Sequence, residues 1–211
     1  DIDIHGPSVP RMMGMADAPI HADKETIYPV ETIWGLKMMS IAFFIKQTEA
    51  VIWRGPLKMG VIKQFLRDVE WGELDYLVVD CPPGTGDEPL SIVQLLGKPS
   101  GAVLVTTPQD VALDAVKRSV TFCAQVHMPI LGVVENMAGF ACPKCGEVTE
   151  LFGSGGGAAL AAAAESELLA SIPLSRDMMV SGDLGRPPAL LQDNATGKLF
   201  KIGRASCRER V

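Results

Sequence analysis

Two short strings in this 211-residue chain carry residue types that do chemistry at fixed spacing. The first is Tyr76-Leu77-Val78-Val79-Asp80 followed by Cys81-Pro82-Pro83-Gly84-Thr85-Gly86-Asp87. An apolar run that delivers a carboxylate to its C-terminal end, beside a glycine loop, is the arrangement at which doubly wound sheets bind nucleotides. Asp80 is placed to hold Mg2+, usually through water, because that ion prefers oxygen ligands and keeps several waters. Gly84 and Gly86 let the main chain approach a phosphate oxygen and offer N–H groups to it, while Pro82 and Pro83 stiffen the approach. The plainer alternative is an ordinary strand-to-helix turn in which Asp80 caps something local.

The second string is Cys142-Pro143-Lys144-Cys145-Gly146. Its Pro fixes a turn, and its Gly permits a positive φ that lets main-chain N–H groups face the sulfurs. Two thiolates at this spacing hold one edge of a metal site but cannot complete it, since iron–sulfur clusters and structural zinc each usually take four protein ligands. A two-fold dimer that brings two such knuckles together supplies Cys142 and Cys145 twice, which makes four. Zinc and an iron–sulfur cluster both satisfy that donor set. A redox dithiol is the third alternative, although such a motif opens a helix directly after a strand, and this one sits in a polar loop. Of the other thiols, Cys81 and Cys123 read as small buried residues. His5, His21 and His127 are scattered without the spacing of a histidine metal site.

The elements that must position these strings follow from periodicity. Short apolar runs alternate with amphipathic stretches, so the expected fold class is α/β with a doubly wound, mostly parallel sheet covered on both faces. Strands are expected at 74–80, 102–107 and 130–134, with a weaker one around 36–45 and a strand-like run at 168–172. Leu57, Val61, Phe65 and Val69 recur every four residues and predict a helix over about 57–70. A second helix is expected over 111–126 with Asp110 as N-cap, and a third from Gly155-Gly156-Gly157, read as a flexible lead-in, through the alanines to about Leu169. No internal repeat or linker interrupts this pattern, so residues 1–201 are expected to form one domain.

Composition excludes several classes. Lys and Arg total 19 against 25 Asp and Glu, a net charge of −6, which argues against a nucleic-acid partner. The longest uncharged stretch, 119–134, is broken by Gln125, His127 and Pro129 and is too short to span a bilayer, so no membrane association is expected. The first residues lack the basic start and apolar run of a secretory signal, and five scattered cysteines make no disulfide framework, so the expected location is cytoplasmic. The Arg-rich ending 202–211 has no apolar periodicity and resembles the translation of a sequencing adapter. It is expected to be a non-native tail, and Cys207 receives no role.

The string YLVVDCPPGTGD resembles the Walker B and switch II region of the Mrp/ApbC branch of MinD/ParA-type P-loop ATPases, which are cytosolic iron–sulfur cluster carriers. Asp1-Ile2-Asp3-Ile4-His5-Gly6-Pro7-Ser8 is similar to that branch's switch I segment. Further matches are Trp53-Arg54-Gly55-Pro56, Thr107-Pro108-Gln109-Asp110, Glu135-Asn136-Met137, the CPKCG knuckle, and Ile172-Pro173-Leu174 followed by Gly182-Asp183-Leu184-Gly185-Arg186-Pro187. The resemblance implies the P-loop NTPase type of sheet and ATP hydrolysis with Mg2+, served by Asp80, Asp1 and Asp3, the last two near the γ-phosphate. It implies Asn136 as the adenine-edge contact, Pro173 flanking the base, and a labile [4Fe-4S] cluster bridging a homodimer through Cys142 and Cys145, for delivery to client apoproteins. A positioning ATPase and a structural zinc protein without turnover are the competing readings. One departure stands out: no GKGGVGK-like or GxxxxGK[ST] string occurs in the chain. The first strand and phosphate-binding loop of the family are therefore expected to be missing, and this polypeptide alone is expected neither to bind ATP tightly nor to hydrolyse it.

Overall fold

Periodic apolar residues and glycine-bounded β-branched runs become helices and strands in the computed structural model, which describes residues 1–24, 26–45, 53, 55–190 and 197–200. The expected tail at 202–211 with Cys207, and Arg54, lie outside the described residues. The chain divides into two compact units, Asp1–Gly97 with Gly182–Arg186, and Lys98–Ser181 with the residues from Pro187 onward.

In the first unit, helix α1 (Val9–Met12) precedes two small antiparallel hairpins, β1 (His21–Ala22) with β2 (Ile27–Tyr28) and β3 (Val30–Glu31) with β4 (Lys37–Met38). Each hairpin has a local cause: Asp23 accepts the Thr26 N–H at 2.8 Å, and Gly35 takes a φ of 78° in the turn before β4. The weak strand expected at 36–45 is only β4, after which Ser40 caps a 3-10 turn at Ile41–Phe43. Helix α2 (Gly55–Arg67) bears out the expected stripe only in part: Phe65 is buried together with Ile62, but Leu57 is exposed and Val69 lies beyond the helix; α2 packs on α3 (Asp87–Leu96). The apolar interior groups Ile4, Met39, Ile41, Phe65 and Val69 in one cluster and Ile2, Ile62 and Ile92 in another.

The run 74–80 corrects the sequence expectation. It forms no ladder among the described residues; the Asp80 carbonyl accepts the Ile2 N–H at 2.9 Å, and Val78 is 85% exposed. β-propensity describes side chains that fit a pleated surface, but a strand exists only where neighbours satisfy its N–H and C=O groups along its length.

In the second unit, β5 (Ala102–Thr106) pairs in parallel with β6 (Ile130–Ala141), which pairs in parallel with β8 (Leu168–Leu174) and antiparallel with the short β7 (Val148–Thr149). The sheet is thus mixed and mostly parallel, as expected. Helix α4 (Asp110–Gln125) matches its expected span, although Gln109 rather than Asp110 occupies the N-cap. Helices α4 and α5 (Gly156–Ala163) cover the sheet over Leu104, Leu113, Val133, Leu160 and Ala161, with Val133 fully buried. Helix α5 ends well short of 169: Ala164 caps it, and Glu165 turns the chain at a φ of 49° into β8. Helix α6 (Arg176–Asp183) follows.

The last two glycines of the run are the first two residues of α5 and are tightly packed. A Cβ on Gly156 would lie 2.7 Å from the Pro108 carbonyl oxygen, and one on Gly157 would lie 2.5 Å from Glu135 Cβ. Only glycine lets the helix start this close to β6 and the end of β5.

Candidate functional site

The acidic corner is built from the first residues of the chain and from Asp80. Asp1 Oδ2 accepts the Ser40 hydroxyl at 3.0 Å, Asp1 Oδ1 accepts the Asp3 N–H at 3.1 Å, and the Asp1 amino group donates to the Met39 carbonyl at 3.0 Å. Asp3 Oδ1 in turn accepts the Gly6 N–H at 3.1 Å. These local turns fold the DxD segment back on itself, and the Ile2 bond to the Asp80 carbonyl fixes it against the acid. The three aspartates are therefore brought into one region. Burial raises the Asp80 carboxyl above its ordinary value, the Asp1 amino group opposes this, and the Asp3 charge adds to the rise. Among the described residues no three His, Cys, Asp or Glu side chains are grouped to hold a metal by themselves. Mg2+ fits such a corner, because it takes one or two carboxylates and fills its remaining positions with water and phosphate.

After Asp80 the chain enters the proline–glycine loop. The Cys81 thiol is pushed up to about 11, first by burial of the sulfur and then by the Asp80 charge, although the residue as a whole is exposed. Gly84 takes a φ of 98°, and a Cβ there would meet open space. Gly86 is the extended N-cap of α3, so the unpaired N–H groups of that helix start directly behind the loop.

Asn136 and Pro173 come together in the second unit. Asn136 is in register with Ile172, and the next β6 residue paired with β8 is Phe140, opposite Leu174. Met137, Ala138 and Gly139 thus bulge out opposite Pro173 alone, which has no N–H to offer the ladder. Met137 at φ 57° and Gly139 at φ 94° make the bend, and Asn136 Oδ1 accepts the Met137 N–H at 2.9 Å. Strand β6 therefore runs seven residues beyond its expected end at 134, to Ala141.

That extension carries the cysteine knuckle. Phe140 and Ala141 pair with Thr149 and Val148, and residues 142–147 form the hairpin tip. The Cys142 N–H donates to the Glu147 carbonyl at 2.9 Å, the Gly146 N–H to the Cys142 carbonyl at 2.8 Å, and Gly146 takes a φ of 75°. The Cys142 thiol is lowered below its ordinary value, chiefly by the Cys145 main-chain N–H, then by that of Lys144 and by the Cys145 thiol. Amide donors aimed at a sulfur favour its thiolate, the form that binds metal. Cys145 is exposed and Cys142 half-buried, so both sulfurs stand at the surface.

Residues 1–204 match the family model described as ParA, NUBPL iron-transfer P-loop NTPase. The chain belongs to this family. It is 44% identical over 203 residues to an iron-sulfur cluster carrier protein of Methanocaldococcus jannaschii, covering 96% of this chain and 70% of that protein. It is 50% identical over 179 residues to a cytosolic Fe-S cluster assembly factor Nubp2 homolog of Anopheles gambiae, covering 82% of this chain and 69% of the relative. Among solved structures, a nucleotide-binding protein of Archaeoglobus fulgidus in complex with ADP superposes with a TM-score of 0.74 at 43% identity, over 88% of this chain and 72% of that one. The MinD cell division protein of Aquifex aeolicus shares the fold, with a TM-score of 0.58 at 15% identity over 95% of this chain and 78% of that one. The α/β sheet is thus that of the P-loop NTPases.

In this iron-transfer NTPase chain, four supporting residues escaped the sequence reading. Ser40 holds Asp1 from 39 positions away and sits in no motif. Glu135, matched only as part of a string, is buried and accepts the Gly157 N–H at 2.7 Å and the Ser171 hydroxyl at 3.1 Å, tying β6 to α5 and β8. Lys58 and Glu88 pair at 2.7 Å between α2 and α3, and their one sequence signal is the acidic start of α3.

Proposed function

We propose that this chain belongs to an ATP-dependent iron–sulfur cluster carrier, binding a labile [4Fe-4S] cluster at a homodimer interface and transferring it to client apoproteins. The observation that carries this reading is the knuckle: two surface thiols, one already favoured as thiolate by main-chain amides, half the donor set of a four-thiolate site. A second copy supplies the other half. The carrier and assembly-factor names of the Methanocaldococcus and Anopheles relatives support the same cargo.

In this reading Asp80 holds Mg2+ through water, and Asp1 and Asp3 orient the attacking water and support the metal shell. Bound Mg2+ supplies charge neutralisation for the phosphates. Gly84 and Gly86 bring main-chain donors to the γ-phosphate on a loop that Pro82 stiffens, and Asn136 reads the adenine edge beside Pro173. The chain has no GxxxxGK[ST] string. Hydrolysis therefore belongs to a protein that joins these residues to such a loop, and the 211-residue polypeptide by itself binds ATP weakly. The location is cytoplasmic, in keeping with the cytosolic name of the Anopheles relative; among the described residues no helix is long and apolar enough to cross a membrane.

Anaerobic reconstitution with iron and sulfide tests the cargo. A broad absorption band near about 400 nm, lost in C142S/C145S, is the expected result. Stoichiometric zinc with no such band would instead mark a structural metal in the same cage and end the carrier reading.

A further inference from the structure

The string Trp53-Arg54-Gly55-Pro56 has no part in the chemistry above, yet the helix that starts within it meets the phosphate-facing loop at two points. Helix α2 begins at Gly55, and a Cβ on that residue would lie 2.9 Å from Asp87 Oδ2, so the Asp87 carboxylate occupies the space that any other side chain would need. A carboxylate at the first turn of a helix is favourably placed against its unpaired N–H groups. One turn on, Lys58 Nζ lies 2.7 Å from Glu88 Oε1, with both side chains largely buried, 17% and 9% exposed. The other Glu88 oxygen reaches back to the loop: a Cβ on Gly86 would lie 3.0 Å from Oε2. The loop's last two residues and the first turn of α3 are thus held from one side by the first turn of α2. Ser91, itself buried, closes the arrangement by donating to the Asp87 carbonyl at 2.6 Å.

Glu88 also interacts beyond the Lys58 pair. Burial would raise its carboxyl, but the Lys58 hydrogen bond and charge, with His5 adding to them, leave it lowered, and its charge in turn raises the Cys81 thiol. Glu88 thus interacts electrostatically with His5 of the segment 1–8 and with Cys81 of the loop.

We propose that Lys58 is a positioning residue for the loop 81–87, acting through Glu88: the pair anchors the first turn of α3 so that the Gly84 and Gly86 amides are presented together. The functional value of that anchoring rests on the nucleotide reading of the loop. Its physical content does not, and the experiment separates the two.

Hydrogen exchange by mass spectrometry on the full 211-residue chain compares wild type with K58M, E88Q and K58R. The expected result is exchange about tenfold faster at residues 84–88 in K58M and E88Q, wild-type protection in K58R, and no change along β6. Wild-type exchange in K58M would overturn the proposal, as would equal loosening in K58M and K58R or loosening that spreads equally into β6. In a protein that also carries a phosphate-binding loop, K58M is expected to lower kcat for ATP about tenfold while KM shifts less than about twofold. Undiminished kcat in K58M beside an active wild type would also overturn it. Absence of turnover in wild type, with the exchange pattern intact, would remove the ATPase reading and leave the anchor standing.

Discussion

At the scale of single residues, the site works by what hydrogen bonds do to charge. The Cys142 thiol is lowered mainly by the main-chain N–H of Cys145, whereas Cys81 is pushed up to about 11 by burial and the Asp80 carboxylate. A lowered thiol has more thiolate at any pH below its ordinary range, and one near 11 is only about one part in a thousand ionised at pH 8. In the metal-free protein, iodoacetamide is therefore expected to label Cys142 well before Cys81 at pH 7 to 8, as mass spectrometry of time points would show. Because the dominant donor is an amide that serine retains, C145S is expected to keep most of the fast labelling at Cys142. A fall to the rate of an ordinary thiol would assign the effect to the Cys145 side chain instead. The glycines at 84 and 86 and the carboxylate of Asp80 were singled out from spacing alone, and their proposed roles rest on that spacing. Ser40 was not, because a serine in an apolar run carries no signal until the fold sets it 3.0 Å from Asp1.

At the scale of elements, strand β6 does most of the positioning. Its parallel part carries Glu135 and Asn136, its bulge bends at Met137 and Gly139, and its antiparallel end carries the knuckle. The knuckle is thus held by the same strand as the residue assigned to the adenine edge, six positions apart. Helix α5 is locked to that strand where Gly157 leaves no room for a side chain beside Glu135. G157A is expected to destabilise the protein by about 1–3 kcal/mol, since the 2.5 Å approach forces either the helix or the strand to move. Urea unfolding measures it, and a loss below about 0.5 kcal/mol would mean that α5 shifts freely. M137V is expected to cost about 1–2 kcal/mol in the same assay, because a β-branched side chain is poorly tolerated at a φ of 57°. Periodicity located α4 to within one residue at each end and α2 to within three. It ran α5 too far, because alanine and leucine suit a helix and the sharp turn at Glu165 follows no composition rule.

At the scale of the whole molecule, the donor arithmetic of the knuckle decides the expected assembly. Among the described residues one chain offers two clustered cysteines, so in the proposed four-thiolate site the other two come from a second copy. Sedimentation is expected to show the mass doubling on cluster reconstitution and returning to that of a single chain on chelation, with C142S/C145S unresponsive. A reconstituted species that stays at the mass of one chain would exclude the shared site. The amino-acid sequence by itself determined the fold class and the family, because these depend on residue types within a few positions of one another. Only the tertiary structure decided that 74–80 stays outside a ladder, that Lys58 meets Glu88 across 30 positions, and that Gly157 meets Glu135 across 22. The physical reason is that such contacts depend on how finished elements pack, and a helix start, a bulge or an unpaired edge has no fixed spelling in the residues that form it.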